Sequence, residues 1–258
     1  MSLWWREQLK VNLAPELVAV CRRSRGLRRR NTDVVVFPVA QTNATVHWRD
    51  ALATFAAAAE KTGWQGLDLE IVLSNHFVQY IALPWTEHLS AADAISYARH
   101  QLQVQYGPDA AVWAVSIGRG AIGLPRIVAA IEQSLLDELH AQAARSRLRL
   151  NSVRPLLDAA CDALPERAVP ATGWLAVVER GRLSVSRLER GQCVSVRSAA
   201  YSDDPACAML TLLDQDAMCT GAATTGATLF LQSAQVVNCD VLRNRGWQVL
   251  ASEPVVLQ

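Results

Sequence analysis

The sequence lacks the short motifs that identify a reaction. Its six cysteines form no CxxC pair, and none of its five histidines has a metal-ligand neighbour at helical spacing. This dispersal excludes a zinc finger and a disulfide-rich scaffold, and is typical of reduced thiols in a cytoplasmic protein. No serine lies in the Gly-x-Ser-x-Gly setting of a hydrolase nucleophile. We therefore expect neither a metal site nor a set of catalytic residues.

Long apolar runs and an excess of one charge are also missing. No stretch approaches the ~18 uninterrupted apolar residues that span a bilayer. Arg6, Glu7 and Lys10 interrupt the apolar N-terminal segment, which differs from a signal peptide. A net charge of +1 gives no overall attraction to nucleic acid. We expect a cytoplasmic chain that does not bind nucleic acid, in which residues 3–5 (Leu-Trp-Trp) either pack on the first strand or contact a membrane surface or partner.

What is present is the composition of a globular protein, with 51% hydrophobic and 19% charged residues in 258. That length suits one large domain or two joined lobes. In the first part of the chain, Leu17–Arg22 and Val34–Val39 are predicted strands joined by an arginine-rich loop. An alanine-rich helix is predicted over Trp48–Lys61, ended by Thr62-Gly63.

The segments Leu67–Leu73 and Phe77–Leu83 are two short apolar runs around the polar tip Ser74-Asn75-His76. This pattern predicts a tight antiparallel hairpin within one sheet. Pro84 lacks a backbone donor and should end the second strand. We expect Trp85 to be packed where the chain turns towards the next helix.

Two capping boxes predict the helices that follow. Ser90 and Asp93 begin a helix that ends at Gly107-Pro108, and Ser134 and Asp137 begin another that runs to about Arg147. A strand pair between them surrounds a glycine-bearing turn, and a strand and a helix follow. These elements are predicted at Val112–Ile117, Pro125–Ile131, Leu150–Val153 and from about Pro155.

The last third begins after a predicted linker over Pro165–Thr172, so we divide the chain into lobes of residues 1–165 and 166–258. Glycine turns predict a three-stranded meander, followed by a helix that Asp203-Asp204 should cap. The predicted elements are strands Trp174–Val178, Arg182–Leu188 and Cys193–Ser198, helix Pro205–Met218, strand Thr228–Gln232, helix Val236–Asn244 and strand Gln248–Ala251.

This order of elements, a meander followed by alternating helices and strands and used twice, resembles the lobes of actin-like proteins. The segments NLAPELVAVCR, LSNHFVQYIALPW and LNSVRPLLDAAC narrow the resemblance. They are similar to PilM-like proteins of type IV pili and to the cytoplasmic domain of GspL-like proteins of type II secretion. The resemblance implies an α/β fold of two ribonuclease-H-like lobes (the actin-like ATPase fold), with mixed β-sheets flanked by helices and a cleft between the lobes.

PilM-like relatives hold ATP in that cleft, using hairpins with an acidic residue and glycines. Here the first hairpin is taken as VAVCRRSRGLRRR, which has no acidic residue. The second, AVVERGRLSVSRL, matches in part through Glu179 and Gly181, which would contact a nucleotide if one binds. Mg²⁺ requires oxygen ligands, usually a carboxylate. This departure from the PilM-like pattern therefore disfavours ATP and Mg²⁺ as cofactors.

An arginine cluster is the strongest local charge anomaly. One interpretation is a loop that contacts phospholipid headgroups, nucleic acid or an acidic partner, of which the net charge of +1 disfavours nucleic acid. The other is a solvated loop balanced by acidic groups elsewhere. Its members are Arg22, Arg23, Arg25, Arg28, Arg29 and Arg30.

These observations favour a non-catalytic cytoplasmic scaffold of a type IV pilus or type II secretion assembly. It would bind a segment of an inner-membrane partner in the lobe cleft or at an edge strand, whose unpaired backbone groups accept an added strand. Peripheral membrane contact is compatible with this hypothesis. Two alternatives remain: a nucleotide-binding actin-like ATPase, and an unrelated α/β enzyme. The sequence does not decide the oligomeric state.

Overall fold

The structure is a computed structural model that describes residues 7–24, 30–31, 34–40, 48–87, 89–164 and 172–252. The chain forms two compact units, each built from separate segments. The first contains the described residues up to 78 together with 131–156. The second contains 79–130 and the described residues from 157 onwards.

The elements alternate along the chain. The strands are β1 (Gln8–Leu13), β2 (Leu17–Ser24), β3 (Arg30–Asn31), β4 (Val35–Pro38), β5 (Asp68–Leu73), β6 (Gln79–Leu83), β7 (Trp113–Ile117), β8 (Arg126–Glu132), β9 (Arg149–Pro155), β10 (Thr172–Glu179), β11 (Arg182–Glu189), β12 (Gln192–Cys193), β13 (Arg197–Ala200), β14 (Thr228–Ser233) and β15 (Gln248–Ser252). The helices are α1 (Trp48–Lys61), α2 (Ala91–Tyr106), α3 (Gln133–Arg145), α4 (Leu156–Asp162), α5 (Pro205–Thr220) and α6 (Asp240–Asn244).

The first sheet has the order β3-β2-β1-β5-β9, and β4 also pairs with β2. β2 is antiparallel to β1, whereas β5 is parallel to β1 and β9 is parallel to β5. The central strand β1 was not predicted, although its period-2 alternation was a usable signal. Leu9, Val11 and Leu13 are buried on one face, and Gln8, Lys10 and Asn12 alternate with them on the other.

The predicted hairpin over Leu67–Leu83 is wrong. β5 lies between β1 and β9, whereas β6 pairs with β8 in a separate three-stranded sheet. Because β1 and β9 occupy both edges of β5, no edge is left for β6. Ser74 and Asn75 are fully buried in the connection, and the Ser74 N–H donates to the carbonyl of Leu13. Trp85, predicted to be packed, is 38% exposed.

β6, β8 and β7 form a three-stranded sheet within residues 79–132, with α2 packed against it. The capping box at the start of α2 is confirmed, because the Asp93 N–H donates to Ser90 Oγ at 3.1 Å. Leu102 of α2 is fully buried, whereas Ile95 is 39% exposed. The predicted strand pair around the glycine turn is also confirmed as β7 and β8.

The other predicted caps had different outcomes. The capping box at Ser134 is wrong, because α3 follows Glu132 with no side-chain cap and Ser134 Oγ instead donates to the Glu132 carboxylate. The cap of α5 is confirmed, since Asp204 Oδ1 accepts from the Ala206 N–H at 2.9 Å. Helix α6 begins at Asp240, later than the predicted Val236. Before it, Ser233 Oγ bonds both backbone groups of Gln235, and the Asp240 N–H donates to Asn238 Oδ1.

The second large sheet repeats the topology of the first. Its order is β12-β11-β10-β14-β15, with β13 also paired with β11. β11 is antiparallel to β10, and β14 and β15 run parallel to it. Trp174 is 1% exposed in its core, with its ring 5.1 Å from that of Trp247 in a T-shaped contact.

Two sheets with this repeated order confirm the predicted ribonuclease-H-like, actin-like fold. Each predicted lobe, residues 1–165 and 166–258, contains one of the large sheets. The boundary itself stays a prediction, because the compact units group 79–130 with the second sheet. Among the described helices, none has the length and apolarity that a membrane span requires.

Candidate functional sites

The turn between β10 and β11 contains both residues predicted to contact a nucleotide. Glu179 ends β10 opposite Arg182, and Gly181 has a φ of 73°, which favours glycine. Tyr201 fastens this turn through two hydrogen bonds. Its hydroxyl donates to the Glu179 carbonyl at 2.6 Å, and its N–H donates to the Gly181 carbonyl at 3.2 Å. The turn is therefore a fixed element of the second unit.

A cavity of 460 Å³ lies beside this turn. Its wall carries one charge of each sign, from Arg180 and Asp203, so these two groups give it no net preference for an anion. Polar side chains and the start of α5 complete the lining. The lining residues are Arg180, Gly181, Tyr201, Ser202, Asp203, Pro205, Gln235 and Val236.

The carboxylate of Glu179 also acts on a buried phenol of the same unit. Burial raises the pKa of Tyr80 well above its ordinary value, and the negative charges of Glu179 and Asp158 raise this pKa further. Two carboxylates thus lie near one buried phenol. They do not amount to a metal centre, because the described residues contain no group of three or more metal-ligating side chains.

The corresponding turn of the first sheet is the one between β1 and β2, so the segment VAVCRRSRGLRRR was the wrong choice. The β1–β2 turn is closed by the Ala14 N–H, which donates to the Leu17 carbonyl at 3.0 Å. By this register Ala14 matches Glu179 and Glu16 matches Gly181. This turn was not predicted because β1 was not predicted.

This first turn does not fit the phosphates of ATP. Pro15 has no N–H to donate, and the Glu16 carboxylate has the same charge as a phosphate. Ala14, the counterpart of Glu179, has no side-chain oxygen to offer Mg²⁺. Asn12, 7% exposed near the end of β1, carries a neutral amide. Its Oδ1 atom accepts no hydrogen bond from the described residues.

The structure separates the members of the arginine cluster that it describes. Arg22 is exposed and forms an ion pair with Glu7, in which Nε donates to Oε2 at 2.9 Å. Arg23 is the next residue of β2 and therefore faces the opposite side of the sheet. Arg25, Arg28 and Arg29 lie outside the described residues, and Arg30 is described only by its backbone, at the start of β3.

A second basic group, missed by the sequence analysis, lies on the sheet face of Arg23. Burial lowers the pKa of Lys10, and the nearby charges of Arg23 and Arg154 lower it further, whereas Glu70 raises it. Gln8 Nε2 donates to Glu70 Oε2 at 2.8 Å on this face. The basic residues Lys10, Arg23 and Arg154 come from three different strands, β1, β2 and β9, so only the pairing register could have revealed the group.

The outer edge of β4 is a candidate for strand addition. Val35 and Val36 are 51% and 52% exposed, and among the described strands β4 pairs with β2 alone. The Val39 N–H donates to the Glu16 carbonyl. Because Val39 is hydrogen-bonded to this side, every second residue before it also directs its N–H and C=O towards β2. Phe37 and Val35 therefore point their backbone groups towards β2, and Val36 and Pro38 point theirs outwards.

A second cavity, of 490 Å³, lies between α1 and α3 in the first unit. Its rim is already paired internally: Arg49 lies 4.8 Å from the centre of the Trp48 ring, and Arg145 lies 3.5 Å from the Glu138 carboxylate. Small side chains such as Ala53 and Ala56 line it. The cavity shows no chemistry specific to a ligand.

No protein-family model matches this chain, and no curated protein sequence matches it. Solved structures do. A Bacteroides thetaiotaomicron protein described as having an actin-like ATPase fold and unknown function has a TM-score of 0.68 at 11% identity, covering 97% of this chain and 94% of that one.

Two further similar structures belong to named assemblies. The cytoplasmic domain of EpsL, an inner membrane component of the type II secretion system of Vibrio cholerae, has a TM-score of 0.59 at 12% identity, covering 97% and 92% of the two chains. The PilM–PilN type IV pilus biogenesis complex has a TM-score of 0.64 at 13% identity, covering 96% and 88%. These similarities establish the actin-like fold.

Proposed function

We propose that this chain is a non-catalytic cytoplasmic scaffold of a type IV pilus or type II secretion assembly that binds an extended segment of an inner-membrane partner. The proposal is supported by the fold shared over nearly the whole chain with EpsL and PilM. EpsL is described as an inner membrane component, and PilM is described in a complex with PilN. The observation on this chain that carries the proposal is the outer edge of β4, which no other strand of the described residues covers.

The edge of β4 has backbone groups that can pair with an added strand, and it also limits the length of that strand. The N–H and C=O of Val36 and the C=O of Pro38 point outwards, so a partner strand gains backbone hydrogen bonds there. Pro38 supplies no donor, which ends the donating edge and restricts the partner to a short segment. The exposed Val35 and Val36 side chains supply apolar contact on the two faces.

The scaffold role is further supported by the chemistry of the two turns. The β1–β2 turn repels a phosphate through Glu16 and lacks a donor at Pro15. The charge of Glu179 lies near buried Tyr80. Neither arrangement favours turnover of a nucleotide.

Genetic complementation in the producing organism tests the proposal. Deleting the gene should abolish pilus assembly or type II secretion, and the wild-type gene should restore it. Val36→Pro removes the outward N–H at a site where an edge strand tolerates proline, and should fail to restore assembly although the protein folds. Val36→Thr keeps the N–H at similar size and should restore it. A deletion that leaves both pili and secretion intact would overturn the proposal.

An actin-like ATPase is the second candidate. One observation favours it: Glu179 and Gly181 lie in a turn beside a 460 Å³ cavity. Stability and hydrolysis, both measured with ATP, separate binding from turnover. Binding alone stabilises the folded state by ~2.7 kcal/mol when the ligand is present at about 100 times its dissociation constant. Stabilisation without hydrolysis would make the scaffold nucleotide-dependent, and stabilisation with hydrolysis would favour the ATPase.

A further inference from the structure

The strand β15 lacks the features that normally protect the edge of a sheet. Among the described strands, β15 ends its sheet and pairs with β14 alone. Its five residues, Gln-Val-Leu-Ala-Ser, include no charged side chain and no proline. Natural edge strands usually carry charges or proline, which prevent pairing with another chain. The residues of β15 therefore do not oppose such pairing, and the proposed scaffold function makes no use of this edge.

The equivalent strand of the first sheet shows the contrast. β9 ends the first sheet as β15 ends the second, because the two sheets have the same order of strands. β9 carries Arg149 and Arg154 and ends on Pro155. The Arg149 side chain is half-exposed and lies 4.0 Å from the Asp68 carboxylate. The fold thus accepts a protected strand at this position, so the neutral edge of β15 is not a requirement of the fold.

The pairing with β14 decides which backbone groups of β15 face outwards. The Gln248 N–H donates to the Ala227 carbonyl at 2.9 Å, so Gln248 directs its backbone groups towards β14. Because this direction alternates along a strand, Val249 and Ala251 direct their N–H and C=O groups away from β14. The outer edge therefore presents two donors and two acceptors to an added strand.

Leu250 is an exposed apolar side chain in the middle of this edge. It is 48% exposed, whereas Phe230, its neighbour on β14, is 4% exposed. The preceding residue, Val249, packs against the core on the opposite face of the sheet. Leu250 therefore extends a buried apolar surface to the rim of the sheet, where contact across the edge would cover it.

We infer that β15 pairs with β15 of a second copy of this chain, antiparallel to it and with the two-fold axis at Leu250. In this register Val249 lies opposite Ala251 of the second copy, and the two residues exchange both backbone hydrogen bonds. Leu250 faces its own counterpart in a non-hydrogen-bonded pair, the kind in which side chains lie closest. The second sheets of the two copies then form one continuous sheet.

The charges around the edge favour a second copy over a charged segment of another protein. The neutral strand offers such a segment no ionic contact, whereas two copies place no like charges opposite each other along β15. Helix α6 packs on the face of Val249. Its exposed Asp240 and Arg243 already form an ion pair with each other at 3.2 Å. The two-fold register also gives the exposed Leu250 an identical apolar partner.

Cysteine crosslinking of the purified full-length chain tests both the dimer and its register. The exposed Cys207 and Cys219 are first replaced by serine. Leu250→Cys should then form a disulfide-linked dimer under mild oxidation, because the Cα atoms of a non-hydrogen-bonded pair lie ~4.5 Å apart, within the range of a disulfide. Gln248→Cys, on the same face of the same strand, is the control. Its counterpart in the second copy lies ~14 Å away, so it should not crosslink.

A mixture of two variants checks the register again. Gln248 lies opposite Ser252 of the second copy, so Gln248→Cys mixed with Ser252→Cys should form a crosslinked dimer that neither protein forms alone. Equal crosslinking of Leu250→Cys and Gln248→Cys would mean random collision. That result, or the absence of crosslinking in all of these proteins, would overturn the inference.

Analytical ultracentrifugation measures the same association without introduced cysteines. The wild-type chain should change from monomer to dimer as its concentration rises. Ala251→Pro removes an N–H that points away from β14, at a site where an edge strand tolerates proline, and should give a folded monomer. Ala251→Thr keeps the N–H and should still form the dimer. A wild-type chain that stays monomeric at its highest soluble concentration would assign the edge to another protein and contradict the inference.

Discussion

Asp216 carries a buried charge on the inner side of α5. Its side chain is 1% exposed, lies 3.7 Å from Arg187 Nε and 3.5 Å from Arg197 Nε, and accepts from the Trp174 indole at 3.2 Å. Removing one partner of a buried ion pair leaves the others uncompensated. Asp216→Ala should therefore lower the free energy of unfolding by roughly 3 kcal/mol or more, measured by chemical denaturation.

The same helix supplies the control. Asp214 is 52% exposed and lies 4.0 Å from Arg245, so Asp214→Ala should change the free energy of unfolding by less than about 1 kcal/mol. Equal losses in the two variants would mean that the buried network does not hold α5 on the sheet.

At the scale of elements, the β10–β11 turn bears on the nucleotide question. We expect no Mg-ATP hydrolysis above the background in EDTA, because the β1–β2 turn offers Pro15 and Glu16 where a phosphate needs donors. Glu179→Ala should leave this background unchanged. Turnover by the wild-type protein that Glu179→Ala abolishes would make the chain an ATPase and reject the scaffold proposal.

Elements whose signal is local were predictable from the sequence. The helix over Trp48–Lys61 matches α1, the box at Ser90 begins α2, and Asp204 caps α5, because caps and apolar spacing act within a few residues. Glu179 and Gly181 were likewise predicted to share one turn, because a glycine lies between two segments that have strand patterns. In each case the residues that decide the structure are neighbours in the sequence.

Elements whose partners are distant were not predictable. Leu67–Leu83 has the pattern of a hairpin, but β1 and β9 take both edges of β5, and no local feature reports that competition. The same limit concealed the basic group of Lys10, Arg23 and Arg154, which three strands bring together. Tertiary pairing decided these features.

For the whole molecule, we propose that a short partner segment adds to the edge of β4 in the cell. Site-specific photo-crosslinking in the producing organism measures this contact. A photoreactive residue replaces Val36 in one variant and Val104, 69% exposed on α2, in the control. We predict that position 36 crosslinks to one inner-membrane protein of a pilus or secretion assembly and that position 104 does not. A crosslink to such a protein from position 104 but not from 36, or from neither, would contradict the account.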